Sequence, residues 1–89
     1  MLVALIARDK PGALQTRLDN RDAHIAYLKS TNMVSQAGPL LDANEDMIGS
    51  LIVLDVEDMA AAETWAASDP YAKAGLFQSV ELIPWKKVI

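Results

Sequence analysis

Three observations predict an α+β sandwich in the order strand, helix, strand, strand, helix, strand. The chain opens on an unbroken apolar run, "MLVALIAR", at residues 1–8. A β-branched run, "SLIVLDV", stands at residues 50–56, and "LFQSVELIPW" reads as a last strand over residues 76–85. Between these runs the apolar period changes to that of a helix, first over residues 13–30 and again over 57–68. The order βαββαβ is the ferredoxin-like split βαβ arrangement, with a four-stranded antiparallel sheet and both helices on one of its faces.

Each element has its own justification. Residues 1–8 are apolar on both alternating sets, Met1, Val3, Leu5 and Ala7 on one side and Leu2, Ala4 and Ile6 on the other. A strand of that kind is covered on both faces. "DKPG" then turns the chain, and Pro11 suits a first helical turn, where its missing N–H does no harm. From about Ala13 to Ser30, Leu14, Leu18, Ile25 and Leu28 gather on one helix face. Arg21 falls inside that sector and His24 at its edge, a surface neighbour of both Arg21 and Leu28. Residues 33–41, "MVSQAGPLL", read as a second strand interrupted at Gly38-Pro39, and the proline places it at a sheet edge. "DANEDMIG" is a polar hairpin loop leading to the third strand at residues 50–56. In "EDMAAAETWAAS", Asp58 is the candidate cap and Met59, Ala62, Trp65 and Ala66 share a face. "DPYAKAG" is a complete single helical turn, capped by Asp69, begun by Pro70 and stopped by Gly75. Pro84, near the end of the last strand, again points to an edge.

The 89 residues carry no internal repeat and no low-complexity linker, so one domain over residues 1–89 is expected. A chain of this size buries only about 60–65% of the surface it exposes when unfolded. There are no cysteines, which excludes disulfides and thiolate metal sites, and one histidine cannot build a histidine-rich centre. No metal and no cofactor are expected. A net charge of −4 argues against a phosphate-backbone partner. No apolar run approaches the roughly 20 residues of a membrane span, and the opening run lacks the form of a signal peptide. The expectation is a cytoplasmic protein that binds neither nucleic acid nor membrane. Hydrophobic residues make up 52% of the chain, more than one small core absorbs. The sheet face without helices is therefore expected to pack on a second copy, giving a homodimer of facing sheets and leaving higher oligomers open. The tail "PWKKVI" is a candidate to reach across to the partner.

Several residues are candidates for chemistry. His24 is a candidate general base or acid, because an imidazole is the side chain that ordinarily changes charge near neutral pH, against the plainer reading of a partly exposed polar residue. Asp69 is explained as a helix cap alone, yet the rigid turn it caps also aims its carboxylate. Gly38 and Pro39 are read either as a bulge that blunts an edge strand or as a pocket wall, with Gly38 in a backbone geometry closed to other residues. Ser50 starts a strand or places a hydroxyl in a cleft, and nothing around it spells a serine hydrolase. Arg8, Arg17 and Arg21 are read first as surface charges, with Arg21 alone set toward the apolar side; the alternative is that together they make a cleft that prefers anions.

These residues carry a resemblance. "RDAHIAYL" at 21–28, "AGPL" at 37–40, "GS" at 49–50, "DPYAKAGLF" at 69–77 and "VELIPWKKV" at 80–88 resemble, in order and across the chain, the YciI-like family. The resemblance implies a dimeric ferredoxin-like α/β-barrel and an active site built around a His–Asp pair, which maps onto His24 and Asp69. One relative is a dehydrochlorinase acting on a chlorinated hydroxyhydroquinone, which suggests elimination or proton transfer. Two functions follow. The first is a small cofactor-independent lyase or isomerase, in which Asp69 orients His24, while Arg21 or a backbone N–H near Gly38 stabilises negative charge and Ser50 and Tyr71 orient a small-molecule substrate. The second is a non-catalytic module that binds a small molecule or dimerises to regulate a partner.

Overall fold

The computed structural model describes residues 1–89. Its elements are β1 (Leu2–Asp9), α1 (Leu14–Thr31), β2 (Val34–Leu41), β3 (Met47–Asp55), α2 (Met59–Ser68), α3 (Pro70–Lys73) and β4 (Phe77–Trp85). The strands pair antiparallel in the order β2-β3-β1-β4. This is the ferredoxin-like sheet, with the single-turn α3 inserted between α2 and β4. The two most apolar strands, β1 and β3, are central, while Pro39 and Pro84 sit on the edge strands β2 and β4. An edge position spares each proline the ladder bond it cannot donate.

Two boundaries differ from the sequence reading. β2 runs unbroken through Gly38-Pro39, and its register shifts fall instead at Val34/Gln36 and Leu40/Leu41. β3 begins at Met47, earlier than expected, because the turn is tighter than its polar letters suggest. Asp42 Oδ1 accepts from the N–H groups of Asn44 and Asp46, and Glu45 takes a left-handed φ of 65°. The side chain thus closes the hairpin within five residues. Gly49, on β3, is fixed by close approach: a Cβ there would overlap the carbonyl oxygen of Ala7 on β1.

The core lies mainly between the sheet and α2. Val3, Leu5 and Ala7 of β1 and Ile52 and Leu54 of β3 alternate inward and meet Ala62 and Trp65. Asp58 caps α2 by accepting from Ala61 N–H at 2.8 Å. Trp65 also ties the helices together. Its indole donates to Thr31 Oγ1, and Tyr27 of α1 donates to the Trp65 carbonyl.

α1 packs differently from its expected apolar face. Leu14 and Leu18 are 41% and 46% exposed, whereas Arg17 and His24 are buried. The inward face is turned roughly a quarter of the way round from the leucine stripe. Burying two polar side chains is tolerable only because both are paired, as described below. Arg21, expected toward the apolar side, is exposed.

The opposite sheet face carries no helix. There Leu51 lies opposite Ile6, Ile83 opposite Ala4 and Trp85 opposite Leu2 across the strand pairs. Leu51, Ile83 and Trp85 are each more than two-fifths exposed. No helix is long and apolar enough to cross a membrane.

Candidate functional site

The inward face of α1 brings His24 against α3. His24 Nδ1 lies 2.7 Å from Asp69 Oδ1, and the same oxygen accepts from Tyr71 N–H at 3.0 Å. Asp69, 1% exposed, is therefore both the cap of α3 and the partner of the histidine. Pro70 at the first helical position and Gly75, with φ 73°, fix the two ends of this turn. A carboxylate only accepts, so Nδ1 carries the hydrogen and Nε2 of the neutral ring is left as the free base. The Tyr71 ring stacks on the imidazole with centroids 3.8 Å apart and planes 14° apart, and Phe77 meets it edge-on at 6.0 Å. Asp69 thus fixes the tautomer and Tyr71 the plane of the ring.

Two turns earlier on α1, Arg17 makes a fork-shaped pair with Asp9 at the end of β1. Arg17 Nε donates to Oδ2 at 2.7 Å and Nη2 to Oδ1 at 2.8 Å. Nη2 also donates to Ser50 Oγ at 2.9 Å, and the guanidinium lies 4.7 Å over the Tyr71 ring. Burial works against the charge on Arg17, but the hydrogen bond and the charge of Asp9 outweigh it and raise its pKa. Burial raises the Tyr71 pKa above its ordinary 10.0, and the opposing pull of Arg17 and Arg21 does not cancel it. Tyr27 is raised too, by burial and by the negative charge of Asp69. Both tyrosines are phenols at neutral pH.

These groups line a cleft of about 180 Å³ between α1 and the β2–β3 half of the sheet. His24, Arg17 and Arg21 come from α1, Gly38 and Pro39 from β2, Ser50 from β3, and Tyr71 from α3. Among sealed polar side-chain atoms only Asp69 Oδ2 lacks a partner. His24 Nε2 makes no hydrogen bond and is not among the sealed atoms, so it is open to the cleft that His24 lines.

The sequence candidates His24, Gly38, Pro39, Ser50, Tyr71 and Arg21 therefore meet around one cleft, with Asp69 behind the histidine. Two readings are corrected, those of Gly38 and Arg17. Gly38 has no left-handed φ, and a Cβ there would meet open space, so an ordinary edge strand forms the wall. Arg8 is exposed, as its surface reading has it, and does not line the cleft. Arg17, read as a surface charge, is 3% exposed and central to the site. Its signal was present: seven residues before His24, it shares the helix face of the histidine, with an aspartate just upstream to pair it. Chemically, the arrangement can accept a proton at Nε2 and stabilise negative charge nearby.

Comparison with known proteins agrees with this fold. Residues 1–86 match the YCII-related domain family. Protein YciI of Escherichia coli O6:H1 is 36% identical, with 99% of each chain covered. An uncharacterised protein of Haemophilus influenzae is 37% identical over the same share of both chains. Among solved structures, TftG of Burkholderia phenoliruptrix AC1100 superposes with a TM-score of 0.90 at 36% identity, covering 97% of this chain and 94% of that one. TftG is a 5-chloro-2-hydroxyhydroquinone dehydrochlorinase, solved in complex with 2,5-dihydroxybenzoquinone. Matched from end to end in sequence and in fold, the chain belongs to the YCII-related domain family.

Proposed function

We propose that this protein is a small cofactor-independent lyase or isomerase that moves a proton with the His24–Asp69 pair on a small hydroxylated ring. The contact of 2.7 Å between His24 Nδ1 and Asp69 Oδ1, in the wall of a cleft, carries the reading. Asp69 holds the tautomer and stabilises the imidazolium that forms when Nε2 takes a proton. In an elimination, the electron pair left by that proton becomes the new double bond and chloride departs with its own pair. The likeness to a dehydrochlorinase supports this class of step. Ser50, Tyr71, Gly38, Pro39 and Arg21 orient the ring. The bare sheet face, with Leu51, Ile83 and Trp85 exposed, supports association as a homodimer.

The test is chloride release from 5-chloro-2-hydroxyhydroquinone, followed by ion chromatography. Wild type accelerates it over buffer, and His24→Ala lowers the rate by about 10²- to 10⁴-fold with circular dichroism unchanged. A folded His24→Ala protein that turned over at the wild-type rate would end the proposal.

A further inference from the structure

A second hollow adjoins the cleft. Under the turn from β1 to α1 lies a groove of about 380 Å³, lined by Pro11, Ala13 and Leu14 on one side and by Met47 and Ile48 of β3 on the other. Met47 is the one residue that lines both the groove and the cleft. The function proposed above leaves that shared wall without a role. We propose that Met47 is a movable partition, and that the substrates are hydroxylated rings bearing an unbranched apolar chain, which passes Met47 and lies in the groove. This deepens the proposed function and rests on its reading of the cleft as the seat of the ring.

The strand itself sets Met47 in this position. Pairing between β2 and β3 steps from Leu40–Gly49 to Leu41–Met47, so Ile48 is the extra residue of a bulge. A bulge breaks the alternation of a strand and re-aims a side chain. Three residues from Ser50, Met47 would point to the opposite face by strict alternation, and the bulge returns it to the cleft that Ser50 lines. The remainder of the divide is rigid. Asp9 lines the groove and Arg17 the cleft, and two bonds of 2.7 Å and 2.8 Å lock them together. Met47 is the yielding part: it is half-buried, and an unbranched thioether has three rotatable bonds with which to swing aside.

Size and charge select the occupant. The cleft holds about 180 Å³, against about 300–1,000 Å³ for most small-molecule sites, so a ring fills it and a longer ligand needs the groove as well. Apart from the locked Asp9, the groove has one charge of each sign, Lys10 and Asp46, and both are exposed. Leu14 and Ile48 are 41% and 43% exposed there. A surface balanced in charge gains most by having its apolar area covered, which favours an uncharged chain.

The experiment titrates phenol, 4-ethylphenol and 4-butylphenol into the protein by calorimetry and reads the ratio of affinities within each variant. In wild type each added methylene tightens binding by roughly threefold to fourfold. Met47→Ile keeps an apolar side chain but stiffens it at χ1, and the series loses that slope. Leu14→Asp sets a charge in the path of the chain, at the exposed first position of α1 where an acid suits a helix, and the gain from ethyl to butyl falls below twofold. Circular dichroism checks both variants, and Leu14→Asp decides alone if Met47→Ile does not fold. The proposal is overturned if wild type binds none of the three compounds or shows no slope. It is also overturned if either folded variant keeps the wild-type slope, as both would if the chain bound on the bare sheet face. The readout is binding, so a protein that shows the slope but releases no chloride would sink the proton-transfer reading and leave this one standing, and chloride release without the slope would do the reverse.

Discussion

Asp69 serves two bonds with one oxygen, and replacing it separates stability from chemistry. Asp69→Ala removes the cap on Tyr71 N–H, which costs about 0.5–2 kcal/mol. It also strands His24 Nδ1–H in a buried setting, which costs about 1–3 kcal/mol. Part of this returns, because Asp69 Oδ2 is already sealed without a partner, and deleting it recovers about 1 kcal/mol. The net loss spans about 0.5–4 kcal/mol and centres near 2 kcal/mol, or roughly 8–16 °C in Tm for a domain of this size. Asp69→Asn keeps a carbonyl oxygen for both bonds, removes the charge and sets an amide NH2 in the sealed place of Oδ2, for about 1 kcal/mol. Calorimetric melting at one fixed protein concentration reads all three proteins. Asp69→Asn should remain folded near the wild-type Tm yet lose most of its turnover, because the imidazolium is no longer compensated. A Tm loss of less than about 4 °C in Asp69→Ala would show that the two bonds are not worth what their burial implies.

Other perturbations give distinct readings. Gly49→Ala drives a Cβ into the Ala7 carbonyl between the two central strands; backbone cannot yield there as a side chain can, so expression or Tm should fall sharply, whereas Gly38→Ala, with open space around it, should be near neutral in Tm. The chain has two tyrosines, and both have raised pKa values, so the ultraviolet phenolate signal should appear only above pH 10.0 in the folded protein. A raised folded pKa contributes stability that is intact below the unfolded value of about 10 and lost as pH climbs through the folded one, so Tm should fall on the alkaline side and Tyr71→Phe should blunt that fall. On the bare sheet face, Leu51→Lys places a charge among Ile6 and its neighbours and should shift the sedimentation coefficient from dimer to monomer; an unchanged value would remove that face as the interface.

The fold was largely legible because its signals are local and agree with one another. β1 and β3 announce themselves by continuous apolar runs, α2 by its capping aspartate, and α3 by proline and glycine at its ends. The His24–Asp69 pair was legible as a resemblance and as two separate candidates; 45 residues of sequence separate them, and only the folded sheet brings them together. Arg17 was misread because amphipathic analysis assumes that the inward helix face is the greasy one. That assumption fails where a buried polar group is paired, and the pairing partner, Asp9, lies on a different element. The same rule misjudged Leu14 and Leu18, which α1 turns outward. Gly38 was overinterpreted for the opposite reason: a glycine beside a proline suggests special backbone, and this one lies in a plain edge strand.

The acid and the stacked ring sit two positions apart on one short turn bounded by Pro70 and Gly75. They are consequently inherited as a unit. Shifts that move this segment carry acid and ring together, so under the proposed function selection for a new compound has little purchase here without silencing the base. Diversification is easier on the opposite side of the cleft, where Gly38 and Pro39 belong to an outer strand with room around it. A mutagenesis library aimed at new substrates should begin on that strand and leave the seven residues from Asp69 to Gly75 untouched.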